Sequence, residues 1–210
     1  MPRLSKLAVI IAALVSYPLS ADEPDGYSEL LSSYLSNIST LSGNFEQNTS
    51  NQNDHYSTIY RGELWISKPN RFRVDTISPS LQSLVSNGTD FWFYDEDLEQ
   101  VIVSRLNEDL NQVPILLFSS DIESIENSYD ISGYEDEDGE HFLLQPVSEI
   151  SLFQSLSLEF RDGIPIAIKI NAASGLMTTI NLKQIVVNGP IAEDRFSFDA
   201  PDNVDVIDDR

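Results

Sequence analysis

Leu81-Gln-Ser-Leu-Val-Ser-Asn87-Gly88-Thr-Asp90-Phe-Trp-Phe-Tyr-Asp95 decides the fold class. Two apolar runs flank an Asn-Gly pair, whose residues accept the positive φ angles that a tight hairpin requires. The same grammar repeats outward in both directions. Asp138-Gly139, Asp162-Gly163, Ser174-Gly175 and Asn188-Gly189 punctuate runs rich in Val, Ile, Phe, Tyr, Trp and Thr. The pattern predicts strands near 44–50, 56–67, 71–76, 81–87, 90–95, 99–104, 129–135, 141–145, 153–161, 164–172, 176–187 and 195–199. Most of the links are short, so the sheet is expected to be antiparallel and largely a meander.

Two segments depart from this rhythm. Tyr27, Leu30, Leu31, Tyr34, Leu35, Ile38 and Leu41 recur at steps of three and four, which predicts an amphipathic helix with Gly43 as its stop. Asn111-Gln-Val-Pro114-Ile-Leu-Leu-Phe118 starts with a cap-like Asn and places Pro in a first turn. With Asp121–Glu126 it predicts two short helical pieces in the middle of the chain. The expected class is therefore mainly β (α+β). A long sheet either closes on itself or buries one face under helices, and two apolar helical segments favour the second.

Composition narrows the function. The 210 residues carry 12 Lys and Arg against 34 Asp and Glu, a net charge of −22. Nucleic acid is not an expected partner, because phosphate contacts need cations that this chain lacks. Cys is absent, which removes disulfides, thiolate chemistry and a Cys-linked lipid. Arg3 and Lys6, the apolar run Leu7–Val15 and the ending Leu19-Ser-Ala21 read as a signal peptide with cleavage near Ala21. That run is too short for a spanning helix, which needs roughly 20 residues. Residues 1–21 are thus expected to be removed, leaving 22–210 as one exported domain.

Catalytic signatures are missing. His55 and His141 lack metal-ligand spacing, and there is neither a nucleophile elbow nor a phosphate loop. Glu135-Asp-Glu-Asp-Gly-Glu140 lacks the ligand series of a calcium loop and reads as a charged hairpin tip. No catalytic residue, metal or cofactor is expected. The unusual feature is large apolar side chains on both faces of strands: Leu64, Trp65 and Ile66, then Phe91, Trp92, Phe93 and Tyr94. A two-sided core and a cavity for an apolar ligand both explain this.

Gly62-Glu-Leu-Trp-Ile-Ser-Lys68-Pro69-Asn-Arg-Phe72, Leu84–Gly88, Phe91–Asp95, Pro114–Leu117, Phe142–Pro146 and Phe196–Pro201 occur in an order that resembles the periplasmic outer-membrane lipoprotein carriers of LolA type. The resemblance implies an incomplete antiparallel β-barrel of about 11 strands, with an N-terminal helix and a central helical insert as a lid over an apolar cavity. It implies a monomeric chaperone without enzymatic activity or cofactor. Such a chaperone accepts triacylated lipoproteins from an inner-membrane ABC transporter and delivers them to an outer-membrane receptor. The receptor of related fold is itself acylated on Cys, so the soluble carrier is the better match. An alternative is a lipid-sensing or regulatory periplasmic module on the same half-barrel. The family's lid-latching arginine corresponds to Lys68, which keeps the charge and loses the planar fork of donors. Its expected partners are carbonyls in the 112–120 insert. Candidate cavity residues are Leu64, Trp65, Ile66, Phe72, Phe91, Trp92, Phe93 and Tyr94, and candidate lid residues are Ile115, Leu116, Leu117 and Phe118. Strand alternation sends only about half of the first group inward, and the sequence does not fix the phase.

Overall fold

A computed structural model describes residues 26–51, 57–106, 117–120 and 122–210. One antiparallel meander runs through β1 (Thr40–Asn51), β2 (Thr58–Ser67), β3 (Arg71–Ser78), β4 (Gln82–Asn87), β5 (Asp90–Asp95) and β6 (Gln100–Arg105). A second runs through β7 (Tyr129–Asp136), β8 (Gly139–Pro146), β9 (Phe153–Arg161), β10 (Ile164–Ala172) and β11 (Leu176–Val187). Pairing of β1 with β11 fuses them, and β12 (Asp205–Asp209) adds to β6 in parallel. The result is a 12-stranded sheet, ordered β12-β6-β5-β4-β3-β2-β1-β11-β10-β9-β8-β7, that never closes. An incomplete barrel is the architecture.

Topology then dictates where the insert goes. β6 and β7 stand toward opposite edges, so the connection between them has to pass from one side of the sheet to the other. Its described part, residues 117–120 and helix α2 (Ile122–Ser128), lies on the face that carries helix α1 (Tyr27–Ser36), and α2 contacts both α1 and β7. We call this the inner face. The hairpin forms where the Asn-Gly pair predicts it, but only Gly88 takes a positive φ (+96°); Asn87 ends β4, and its Oδ1 accepts the backbone N–H groups of Thr89 and Asp90. The acidic run 135–140 is likewise the β7–β8 hairpin, with Gly139 at φ +130°.

Three expectations are corrected. The helix stops at Ser36 rather than Gly43. Asn37, Ser39 and Thr40 prefer turns and strands, and Leu41 is already paired with Ile66 and Val187. Residues 195–199 are not a strand: Glu193–Phe196 is a 3-10 turn, residues 197–201 pair with no strand, and a turn at Asp202–Asn203, with Asn203 at φ +68°, leads into β12. The last strand, Asp-Val-Ile-Asp-Asp, was not expected, because three carboxylates mask a sequence that pairs along only one edge.

Gly62 marks the tightest crossing. A Cβ there would lie 2.0 Å from the Asp75 carbonyl oxygen and 2.7 Å from the Phe45 ring, where a bulge in β3 presses against β2. Gly62→Ala is expected to cost about 1–3 kcal/mol through overpacking. Urea unfolding measures this, and a change near zero would mean that the strands part freely.

Candidate functional site: the inner face and its latch

Register fixes the phase that the sequence leaves open. Ile66 stands opposite Phe72, Phe72 opposite Ser86, and Ser86 opposite Phe91, with the Phe72 and Phe91 ring centroids 6.2 Å apart. Leu64, Val74, Leu84 and Phe93 form the parallel row. These rows lie on the inner face. Trp65, Trp92 and Tyr94 therefore point to the other face. There the Arg195 guanidinium sits 4.2 Å from the Trp65 ring, Tyr94 packs against Phe198, and Trp92 is opposite Val85 and Val103. The outer aromatics belong to a second apolar layer under the C-terminal segment.

The other half of the inner face comes from residues that sequence reasoning did not single out. Phe142, Leu144, Leu156, Leu158 and Phe160 are all fully buried. Their signal was available in Leu156-Ser-Leu158-Glu-Phe160, a strict alternation with one apolar face. Against both halves lie Leu31 and Leu35 of α1, Ile38, Leu117, Phe118 and Ile125, in one continuous cluster. Ile115 and Leu116 fall outside the described residues. Side chains from the helices and residues 117–118 thus occupy the inner face.

One turn joins both covering pieces to the sheet. Lys68, between β2 and β3, extends its ammonium to the Leu35 carbonyl, donating at 2.7 Å. That carbonyl lies in the last turn of α1, where backbone acceptors run out of helical donors and the dipole is negative. α1 has no basic residue in that turn, so Lys68 supplies the cation from the sheet. Two residues on, the Asn70 N–H donates to the Ser119 carbonyl at 3.1 Å. The expected partners of Lys68 are carbonyls of the 112–120 insert, of which residues 112–116 lie outside the described residues; within them, the lysine reaches α1 and the neighbouring Asn70 N–H reaches the insert.

A second contact holds α1 farther along the sheet. Tyr34 Oη donates to Glu140 Oε1 at 2.8 Å, while Glu140 Oε2 is buried without a partner among the described residues. Ser32 Oγ donates to Glu126 Oε1 at 2.6 Å and ties α1 to α2. Burial first, then the Glu140 hydrogen bond and the charges of Glu140, Glu135 and Asp162, push the Tyr34 phenol up to about 12. Below the unfolded tyrosine value near 10 the phenol is neutral in both states, and its contribution is fully present. It is lost as pH rises from there through the folded value. Tyr34→Phe is expected to cost about 1 kcal/mol at pH 8, and the difference from the parent should shrink by pH 11. Paired urea titrations check this, and a pH-independent difference would contradict it.

His141 Nε2 lies 2.9 Å from Asp136 Oδ1, and its ring stacks on Tyr134 with centroids 4.5 Å apart. His55 is outside the described residues. No group of three or more metal-ligating side chains occurs among the described residues.

Residues 36–199 match the model of the family described as outer membrane lipoprotein carrier protein LolA. The chain belongs to that family. An outer-membrane lipoprotein carrier protein from Chromohalobacter salexigens is 32% identical over 98% of both chains. One from Hahella chejuensis is 34% identical over 85% of this chain and 87% of its own. Among solved structures, an uncharacterized conserved protein from Thermus thermophilus has a TM-score of 0.54 at 12% identity, covering 86% of this chain and 98% of its own. That likeness concerns the fold alone.

Proposed function

We propose that this protein is an exported periplasmic carrier that hides the acyl chains of lipoproteins against its inner face. It takes triacylated lipoproteins from an inner-membrane ABC transporter and hands them to an outer-membrane receptor, without cofactor or covalent chemistry. Residues 1–21 act as its signal peptide. The observation that carries this reading is the large apolar cluster on the inner face, covered by two pieces that converge on the turn Lys68–Asn70.

The physical problem sets the design. Each methylene removed from water is worth roughly 0.8 kcal/mol, so an open apolar wall would bind tails too firmly to give them up. Here α1 and residues 117–118 fill the wall themselves. Cargo must displace them, and the observed affinity falls with the population of the displaced state. Release is then assisted by the return of Leu31, Leu35 and Phe118 to their places. Val147, Ile150, Leu152, Leu176 and Met177 lie exposed at one end of the sheet, where the Ala173 N–H donates to the Leu152 carbonyl and joins the loop to the β10–β11 hairpin. Such an apolar rim suits passage of cargo or docking of a partner.

The experiment is to incubate the purified chain, lacking residues 1–21, with spheroplasts making a labelled lipoprotein. Appearance of that lipoprotein in the medium as a soluble one-to-one complex is expected. Retention of all label in the membrane, or recovery of a non-acylated peptide instead, would overturn the reading.

A further inference from the structure

We propose that a polar strip on the inner face, formed by Gln47, Thr49 and Thr178 with Tyr60 beside them, seats the ester and amide groups that link acyl chains to a lipoprotein's N-terminal residue. The inference rests on the carrier reading and specifies which part of the cargo this strip recognises.

The strip interrupts an otherwise apolar surface. Along β1 the inward positions run Leu41, Phe45, Gln47, Thr49, and the change from apolar to polar is abrupt. Phe45 and its cross-strand partner Leu182 are buried beneath the helices. Gln47 and Thr49 follow on the same face, roughly 7 and 14 Å farther along the strand, and both are only half-buried. Thr178 is directly opposite Thr49, and Tyr60 directly opposite Gln47. Beyond them on the same face Ile180 and Ile170 restore the apolar wall.

The chemistry of the strip matches a linkage group rather than a tail. The two hydroxyls lie 3.0 Å apart, so one donates to the other and the second proton stays available. Gln47 Nε2 reaches Thr49 Oγ1 at 3.5 Å, a long contact that leaves the amide able to turn to a better acceptor. Together the three side chains offer donors for carbonyl oxygens and an acceptor for an amide N–H. A carbonyl drawn in behind its acyl chain loses water, and it is disfavoured unless a donor replaces that water. Tails lying along Phe45 and Leu182 would leave their linkages level with this strip.

The test uses the full mature chain and two probes: a tripalmitoylated lipopeptide, and diphenylhexatriene, which has no polar atom. Thr49→Val with Thr178→Val removes both hydroxyls at nearly constant volume. The double variant is expected to bind the lipopeptide about tenfold more weakly, the effect of one hydrogen bond to a desolvated carbonyl. Diphenylhexatriene binding should remain within about twofold of the parent. Equal weakening for both probes, or no weakening for the lipopeptide, would overturn the proposal. If the double variant does not fold, Gln47→Leu gives the same contrast. A parent chain that binds diphenylhexatriene and ignores the lipopeptide would instead sink the carrier reading itself.

Discussion

Phe160→Ala is expected to lower stability by about 3–5 kcal/mol, roughly 6–20 °C in Tm, and yet to raise uptake of an apolar probe. Phe160 is fully buried on β9, with ring centroids 5.3 Å from Tyr34, 6.4 Å from Phe118 and 5.6 Å from Phe142. It is where helix α1, the insert and the sheet all touch. Removing the ring leaves a void at this junction, so the covering pieces are expected to detach more readily than the sheet unfolds. Trp65→Ala is the control of comparable size. It abolishes the Arg195 stack on the outer face and should lower stability without changing probe uptake. Urea unfolding followed by circular dichroism gives the first quantity, and diphenylhexatriene fluorescence in the absence of denaturant gives the second. Parallel behaviour of the two variants would mean that the faces are not functionally distinct.

That contrast also explains how far the sequence could be read. On β9 the alternation of Leu156, Leu158 and Phe160 with Ser157 and Glu159 is clear, because the outer face there meets water. On β5 no alternation exists, because Phe91 and Phe93 lie on the inner face while Trp92 and Tyr94 lie on the outer one, where Phe198 packs against Tyr94. A strand with large apolar side chains on both faces reads the same whichever way it is phased. The helix start was legible from its apolar spacing, whereas its end was not. Ile38 and Leu41 continue that spacing by accident, one in a turn and one in a strand. Hairpin positions were the most legible of all, since Asn-Gly and Asp-Gly pairs report a local backbone requirement that tertiary contacts do not mask.

The contacts of the Lys68–Asn70 turn were only partly legible. A lysine before Pro69 can be singled out, but its partner is a backbone carbonyl, and a carbonyl leaves no trace in residue identity. Only the three-dimensional position of α1 tells that Leu35 presents an acceptor to it. The same holds for the bond from Asn70 to Ser119, which is backbone at both ends. Tyr34 and Glu140 are 106 residues apart, and their meeting follows from the fusion of the two meanders through β1 and β11.

Lys68→Leu is expected to bind acylated cargo more tightly and to hand it on more slowly. The losses include a charge-assisted hydrogen bond from a part-buried ammonium, about 1.5–3 kcal/mol, placed at the negative end of a helix. This contact exists only while α1 lies on the sheet, so its loss destabilises the covered state and leaves the displaced state untouched. Apparent affinity for an acylated ligand should then rise roughly 10- to 100-fold, and the release rate should fall accordingly because the returning helix has less to gain. Leucine still packs, so the effect on Tm should be small beside that of Phe160→Ala. Lys68→Arg should lie near the parent, since a guanidinium can reach the same carbonyl. The measurement is transfer of a preloaded, labelled lipoprotein from the soluble complex to receptor-bearing liposomes. Slow transfer by Lys68→Leu with near-parent transfer by Lys68→Arg locates the driving force for release in the cap that Lys68 places on α1. Parent-like transfer by Lys68→Leu would shift that role to Tyr34 and Glu140, a second polar side-chain contact between this helix and the sheet.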